Sequence, residues 1–231
     1  MISSLLPWKD TLPPGPILEV GCGTGFLTSK IIKEFPDREI IITDASEKML
    51  AFCKEELPTL GIDTDQVEFR LLDVNEYKAE APEFALVISN FVAHWFKDPS
   101  LGLQNLSESL VSGGIMLASF PGNHSFQNWY ENCIQLGLPH TANPLPDVEE
   151  VVIKLSTGPM QIDYYENDLY QEFDSSVDFL SYLKKIGAGI STLNKSLTTK
   201  QFNLLTSHWD KKEAGEIKMK WHIVYLAAKK N

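Results

Sequence analysis

The stretch Pro16-Ile17-Leu18-Glu19-Val20-Gly21-Cys22-Gly23-Thr24-Gly25 decides the fold of this chain. Its apolar run, Ile17 to Val20, has the length of a buried strand and breaks into three glycines at alternate positions. A helical pattern follows, with Phe26, Leu27, Ile31, Ile32 and Phe35 on its apolar side. Strand, tight turn and helix in that order aim the free N–H groups of the helix at whatever sits over the turn. Alternate glycines let backbone meet a ligand with no Cβ in the way.

Working outward, the same alternation repeats. Glu39 to Thr43 reads as a second strand closing on Asp44, and Ser46 caps a helix carrying Met49, Leu50, Phe52 and Leu57. Gln66 to Leu72 is a third strand followed by Asp73, and Phe84 to Ser89 a fourth followed by Asn90. Asp98-Pro99 opens a helix running through Leu103, Leu106 and Leu110 to Gly113-Gly114. Ile115 to Phe120 is the fifth strand. The class is α/β: a Rossmann-like, seven-stranded, mostly parallel sheet flanked by helices. Residues 1–15, with Pro7, Pro13, Pro14 and Gly15, read as irregular. After residue 120 the pattern changes. Ser125 to Gly137 and Asp147 to Leu155 read as helices of a cap, 121–158, over the ligand edge. Strand six falls within Met160 to Phe173. Val177 to Ile186 and Thr198 to Trp209 are amphipathic helices, and Thr198-x-x-Gln201 has capping-box spacing. Ile217 to Ala228 closes the sheet. The expectation is one domain over 1–231, with a core at 16–120, the cap, and C-terminal helices and strands at 159–231.

Composition bounds the function. No apolar run approaches the ~20 residues of a membrane span. The first residues lack the charged start and apolar stretch of a signal peptide. Cys22, Cys53 and Cys133 are an odd number without metal-like spacing, so a reducing cytoplasm is the expected location. No His/Asp/Glu cluster suggests a divalent metal, and none is expected. A net charge of −11 argues against nucleic acid as a partner. The charge is uneven: from Leu180 to the end there are ten lysines against three acidic residues.

Position 26 is Phe, so the glycines are spaced Gly-x-Gly-x-Gly rather than Gly-x-Gly-x-x-Gly. With Glu19 two residues ahead of Gly21, the turn suits a ligand with a cationic amino-acid end better than a pyrophosphate. It resembles motif I of the class I methyltransferases that use S-adenosylmethionine. The resemblance implies that Gly21, Gly23 and Gly25 pass under the methionine part of that cofactor and that Glu19 lies near its amino group. Ligands of such sheets bind outside the carboxyl ends of the strands. Asp44 there can accept both ribose hydroxyl protons, or can simply start the next helix. Asp73 can meet the adenine amino group, or can be a surface turn. Asn90 falls beside the transferable methyl, through side chain or backbone. No acid or base is assigned; an acceptor already nucleophilic at neutral pH, such as a carboxylate, requires none.

Past strand four the resemblance narrows. Ser89-Asn90-Phe91-Val92-Ala93-His94-Trp95-Phe96 is similar to the Ser-Asn-x-x-x-Gln-Trp segment of the malonyl-acyl-carrier-protein O-methyltransferases of biotin synthesis. Ala118 to Phe126 resembles their strand-five exit, and Phe179 to Gly189 their Leu-Lys-x-Ile-Gly-Ala helix end. The Leu197 to Phe202 segment and Trp221 to Tyr225 also fit, so the resemblance covers about residues 16–230. His94 replaces the usual Gln. The resemblance implies methyl transfer to the free carboxylate of a malonyl thioester on acyl carrier protein. Phe91, His94, Trp95, His124 and Phe126 are the candidates for the acceptor pocket; Trp95 serves equally as core packing. Neither arginine, Arg38 nor Arg70, is an easy clamp for the acceptor carboxylate. Lys184, Lys185, Lys195 and Lys200 could dock the acidic carrier. Two other readings stay open: a methyltransferase acting on a free small acid resembling trans-aconitate, and a non-catalytic cofactor-binding module.

Overall fold

A computed structural model of the chain describes residues 2–65, 67–186, 196–214 and 216–231. The elements in order are α1 (Ile2–Leu5), a 3-10 turn (Leu6–Thr11), β1 (Ile17–Val20), α2 (Thr28–Glu34), β2 (Ile40–Asp44), α3 (Glu47–Thr59), β3 (Val67–Leu71) and β4 (Phe84–Asn90). A short 3-10 turn (Ala93–Trp95), α4 (Pro99–Glu108), β5 (Leu110–Pro121), α5 (Gln127–Gln135), α6 (Val148–Leu155) and β6 (Met160–Phe173) follow. The chain ends with α7 (Ser176–Lys185), α8 (Thr199–Lys212) and β7 (Ile217–Lys230). The strands form one seven-stranded sheet of order β3-β2-β1-β4-β5-β7-β6. The pairings of β1 with β2 and β4, of β2 with β3, and of β4 with β5 are parallel. Ile17 lies between Ile40 and Leu86, so the strand ahead of the glycines is internal. Both of its faces are covered, which is why it reads as a continuous apolar run.

The chain packs as two compact units, Met1–Phe120 with Pro146–Glu166 and Val224–Asn231, and Pro121–Leu145 with Asn167–Ile223. In the first, strand residues alternate between two apolar layers. Leu18, Val20, Val87 and Met116 pack with Leu103 and Leu106 of α4 and Val151 and Leu155 of α6. Ile17, Ile40, Ile42, Leu86 and Ile88 pack with Ile31 of α2 and Cys53 and Leu57 of α3. The second unit has an aromatic core of its own, built on Phe126, Trp129, Phe179 and Trp209. The stretch expected to form one cap, 121–158, divides accordingly. Its first helix, α5, belongs to the second unit; its second, α6, buries Val151 and Leu155 beside α4 in the first.

The caps follow the sequence signals. Ser46 accepts from Met49 N, Asp98 from Leu101 N at 2.9 Å, and Thr198 with Gln201 forms a complete capping box. Three expectations are corrected. Residues 2–11, expected to be irregular, are helical, with Pro7 in the first turn of the 3-10 segment, where its missing N–H costs nothing. Phe26, assigned to the apolar side of α2, is 71% exposed, with the Lys30 ammonium over its ring. The helix expected to reach Gly113-Gly114 ends at Glu108, and β5 starts at Leu110 instead of Ile115. There Ser109 O accepts from Glu83 N and Phe84 N, and the register against β4 shifts between Phe84 and Leu86. A Cβ on Gly114 would lie 2.8 Å from Val111 O, so these glycines make a strand irregularity rather than a helix stop. Gln66, expected to begin strand three, lies outside the described residues.

Candidate cofactor site

The turn after β1 is fastened to the end of β2. Gly21 N and Cys22 N both donate to Thr43 O at 2.9 Å, and Gly25 N donates to Cys22 O. The three glycines have positive φ, of 75°, 52° and 80°, conformations that favour glycine. They do different work. A Cβ on Gly21 would lie 2.4 Å from Val92 Cγ2, and one on Gly25 would lie 3.1 Å from Cys53 Sγ. Gly21 and Gly25 therefore allow close packing against neighbouring side chains. A Cβ on Gly23 would meet nothing within 4 Å, so its bare backbone faces open space.

Glu19 lies below this turn and is 1% exposed. Its Oε2 is buried without a hydrogen-bond partner. Burial pushes its carboxyl up to about 8; the hydroxyl of Thr28 opposes this and the nearby Cys53 and Asp44 add to it. An acid held neutral in this way, with one oxygen unused, is suited to receive a cation, which would draw off the proton and supply the missing partner. Thr28 was not singled out from the sequence. The signal is there: it is a polar residue, fully buried, in a helix whose neighbours Leu27 and Ile31 are core residues.

Asp44 is the last residue of β2. Its Oδ2 accepts from Gly23 N at 3.0 Å and its Oδ1 from Ser46 N at 2.8 Å. The side chain thus holds the glycine turn and the start of α3 together. The Cys22 thiol also lies 4.0 Å from Oδ2, and a carboxylate has lone pairs for further donors such as hydroxyls. Asp73 lies two residues beyond β3 and is exposed, its Oδ1 accepting from Asn75 N and Nδ2. The neighbouring Val74 is buried in the core.

Asn90 ends β4, and its Oδ1 accepts from the Ser119 hydroxyl at 2.7 Å. Phe91 N donates to Ser119 O, and Phe91 has φ of 58°, a left-handed conformation that an aromatic residue seldom adopts. Such strain collects where a chain must turn sharply beside a site. Ser119, which fixes both residues, lies in the strand-five segment but is not among the site candidates read from the sequence. His94 is half-buried with an unpartnered Nδ1, and burial lowers its pKa to about 4. It is neutral at pH 7. Trp95 is 44% exposed, which does not match core packing, and its ring lies 5.2 Å from that of His94.

His124 and Phe126 belong to the second unit. His124 is exposed and its ring lies 5.0 Å from that of His222. Phe126 is 8% exposed, its ring packed on Trp221 and Phe179. The two arginines are engaged elsewhere: Arg38 donates to Leu12 O, Pro13 O and Gly15 O, and Arg70 pairs with Glu68. Among the described residues no helix is long and apolar enough to cross a membrane.

The sequence and the fold have known relatives. A methyltransferase domain family, Methyltransf_12, matches residues 18–116. A malonyl-[acyl-carrier protein] O-methyltransferase of Magnetococcus marinus is 33% identical over 178 residues, covering 77% of this chain and 64% of its own length. Its counterpart in Priestia megaterium is 31% identical over 189 residues, covering 76% and 67%. The match to these two thus spans about two thirds of their length. The solved structure of the YcgJ protein of Bacillus subtilis superposes with a TM-score of 0.65 at 14% identity, over 100% of this chain and 99% of that one, a likeness of fold. The chain belongs to the class I methyltransferases, in the family of the malonyl-[acyl-carrier protein] O-methyltransferases.

Proposed function

We propose that the chain uses S-adenosylmethionine to methylate the free carboxylate of a malonyl thioester carried on acyl carrier protein, as a step of biotin synthesis. The observation that carries the cofactor reading is the buried, unpartnered Oε2 of Glu19 below a glycine turn whose middle residue faces open space. When bound, the cofactor supplies a methyl group on a sulfonium. The residues of the chain bind and orient. Glu19 meets the amino group, Gly21, Gly23 and Gly25 give the backbone floor, and Asp44 accepts from the ribose hydroxyls. Asp73 reaches the adenine amino group, and Asn90, held by Ser119, borders the reacting end.

The relatives named for malonyl-[acyl-carrier protein] support the acceptor. A carboxylate is nucleophilic at neutral pH, so alignment and exclusion of water are the main tasks. Phe91, His94 and Trp95, just past Asn90, form the proposed acceptor wall. Neutral His94 avoids placing a competing charge beside the acceptor carboxylate. Lys184, Lys185 and Lys200 are proposed to meet the carrier; Lys195, assigned the same role, lies outside the described residues. Incubation with methyl-labelled cofactor tests the whole. Label should pass to malonyl-acyl carrier protein as a base-labile methyl ester. Label passing instead to a free dicarboxylic or tricarboxylic acid favours the small-acid reading, and cofactor binding without turnover on any acceptor favours the docking module.

A further inference from the structure

The whole net charge of −11 falls on the first unit, because residues 121–145 and 167–223 carry eight basic and eight acidic residues. Within the second unit the charges are sorted. Lys218 pairs with Glu172 and Lys220 with Asp168, which neutralises the strands. The exposed positions of α8 are Thr199, Lys200, Asn203, Leu204, Ser207, Lys211 and Lys212, with no carboxylate among them, and Lys200, Asn203, Leu204, Ser207 and Lys211 recur at helical spacing as one stripe. Leu204 is 50% exposed in the middle of this stripe, between the two lysines. His208, one turn beyond Leu204, meets Gln135 Oε1 at 3.3 Å, so α5 lies alongside. On α5, Ile134 is 59% exposed and Tyr130, one turn earlier, 52% exposed. The inner faces of both helices are committed to the core through Trp129, Cys133, Leu205 and Trp209. The outer faces therefore present three large apolar side chains that the fold leaves about half exposed, with Lys200 and Lys211 on α8 and one exposed carboxylate, Glu131, on α5. Single exposed apolar residues need no explanation; a group of them on two neighbouring helices marks a contact surface.

We propose that the outer face of α5 and α8 is the docking surface for an acidic amphipathic helix of the acyl carrier partner. This rests on the carrier-bound acceptor proposed above. Leu204 and Ile134 act as apolar anchors, and Lys200 and Lys211 meet carboxylates at either end. Charge complementarity selects an acidic occupant over a basic helix, which would meet the two lysines, and the relatives named for malonyl-[acyl-carrier protein] point to the carrier; a concentration-dependent dimer of the wild type that Leu204→Glu abolishes would overturn the carrier assignment in favour of a second copy. The carrier docking thus centres on an apolar seam, not on lysines alone.

The test compares two acceptors, malonyl-acyl carrier protein and a short malonyl thioester that has no protein to dock. Leu204→Glu, with Leu204→Ser as the milder change, and the double variant Lys200→Glu with Lys211→Glu are assayed on both. The expected result is a loss of at least tenfold in kcat/KM on the carrier form, mainly through KM. The short thioester should change by less than twofold, and melting should be unchanged. Added salt should weaken the carrier reaction of the wild type and have little effect in the lysine double variant. Turnover of both acceptors with equal losses, or with none, overturns the docking surface and leaves the acceptor reading intact. Failure of the wild type to methylate either acceptor overturns the acceptor reading, and the surface assignment falls with it.

Discussion

The Asp44 carboxylate accepts a hydrogen bond from the Gly23 amide at 3.0 Å, so the residue proposed to hold the ribose also fixes the turn proposed to lie beneath the methionine end. The two functions cannot be separated by deletion. Asp44→Ala loses the hydroxyl contacts and frees the turn. Hydrogen bonds to a charged group contribute roughly 1.5–3 kcal/mol each, so cofactor affinity should fall by at least tenfold. Asp44→Asn keeps one acceptor oxygen and should fall between the two. Isothermal calorimetry with S-adenosylhomocysteine measures this; full affinity in a folded Asp44→Ala protein would remove Asp44 from the site.

The glycines should separate by phenotype. Gly21→Ala drives a Cβ to 2.4 Å from Val92 Cγ2 at φ of 75°. Overpacking of that kind costs about 1–3 kcal/mol, so melting should drop by several degrees. Gly23→Ala has open space around it and carries only the left-handed backbone cost, roughly 1–2 kcal/mol. It should melt closer to wild type but lose cofactor affinity, because the new methyl occupies the space above the turn. The reverse ordering of these two variants in melting and binding would show that the turn does not face the ligand.

This division among the glycines is not legible in the sequence, although the motif itself is. The spacing of Gly21, Gly23 and Gly25 between an apolar run and a helix gave the strand, the turn and the sheet around them. Asp44, Asp73 and Asn90 were legible because strands end where the apolar run ends. Contacts between distant segments were not. Val92 over Gly21, Thr28 and Cys53 near Glu19, and Ser119 holding Asn90 depend on register across parallel strands, which local periodicity does not encode. The packing of Phe126 was not legible for a related reason: its neighbours Phe179 and Trp221 lie far along the chain and give that region a core of its own. The Gly113-Gly114 pair looked like a helix stop because a strand irregularity uses the same residue.

Glu19 should make both stability and binding depend on pH. Its carboxyl ionises near the ordinary 4.5 in the unfolded chain and near 8 in the fold. Its contribution is therefore fully present below about 4.5 and is lost as pH rises toward 8, at up to about 1.4 kcal/mol per unit. Glu19→Gln should remove that slope from the difference between the two proteins. In the wild type, a cofactor ammonium beside the carboxyl expels its proton. Affinity should rise between pH 6 and 7.5, by up to about tenfold per unit, with proton release detectable in buffers of different ionisation enthalpy. Glu19→Gln should bind weakly with no such dependence. A wild-type affinity flat over this range would show that Glu19 does not meet the amino group.

His94 carries the opposite sign. Its pKa drops from 6.5 to about 4 through burial, so its contribution is present above 6.5 and lost as pH falls toward 4. His94→Gln, which restores the residue usual in the family, should remain active and should unfold less readily in acid than the wild type. The pH profile of methyl transfer should show no step near 6.5 that disappears in the variant. Such a step would mean that His94 is charged, and so more open to water, in the working enzyme.

Trp95 gives the sharpest test of the acceptor wall because it does little for the fold. At 44% exposure it lies outside the core, beside the half-buried His94. Substitutions at surface positions usually change stability by about 0.5 kcal/mol or less; a half-covered Trp should cost somewhat more, so Trp95→Ala should lower the melting temperature by only a few degrees. If its ring borders the acceptor, transfer to both the carrier-bound and the short malonyl thioester should fall at least tenfold, while S-adenosylhomocysteine binds as before. Trp95→Phe should recover much of the rate, since an apolar ring remains. A large loss of melting temperature with normal specific activity of the folded fraction would instead make Trp95 a structural residue and remove it from the pocket.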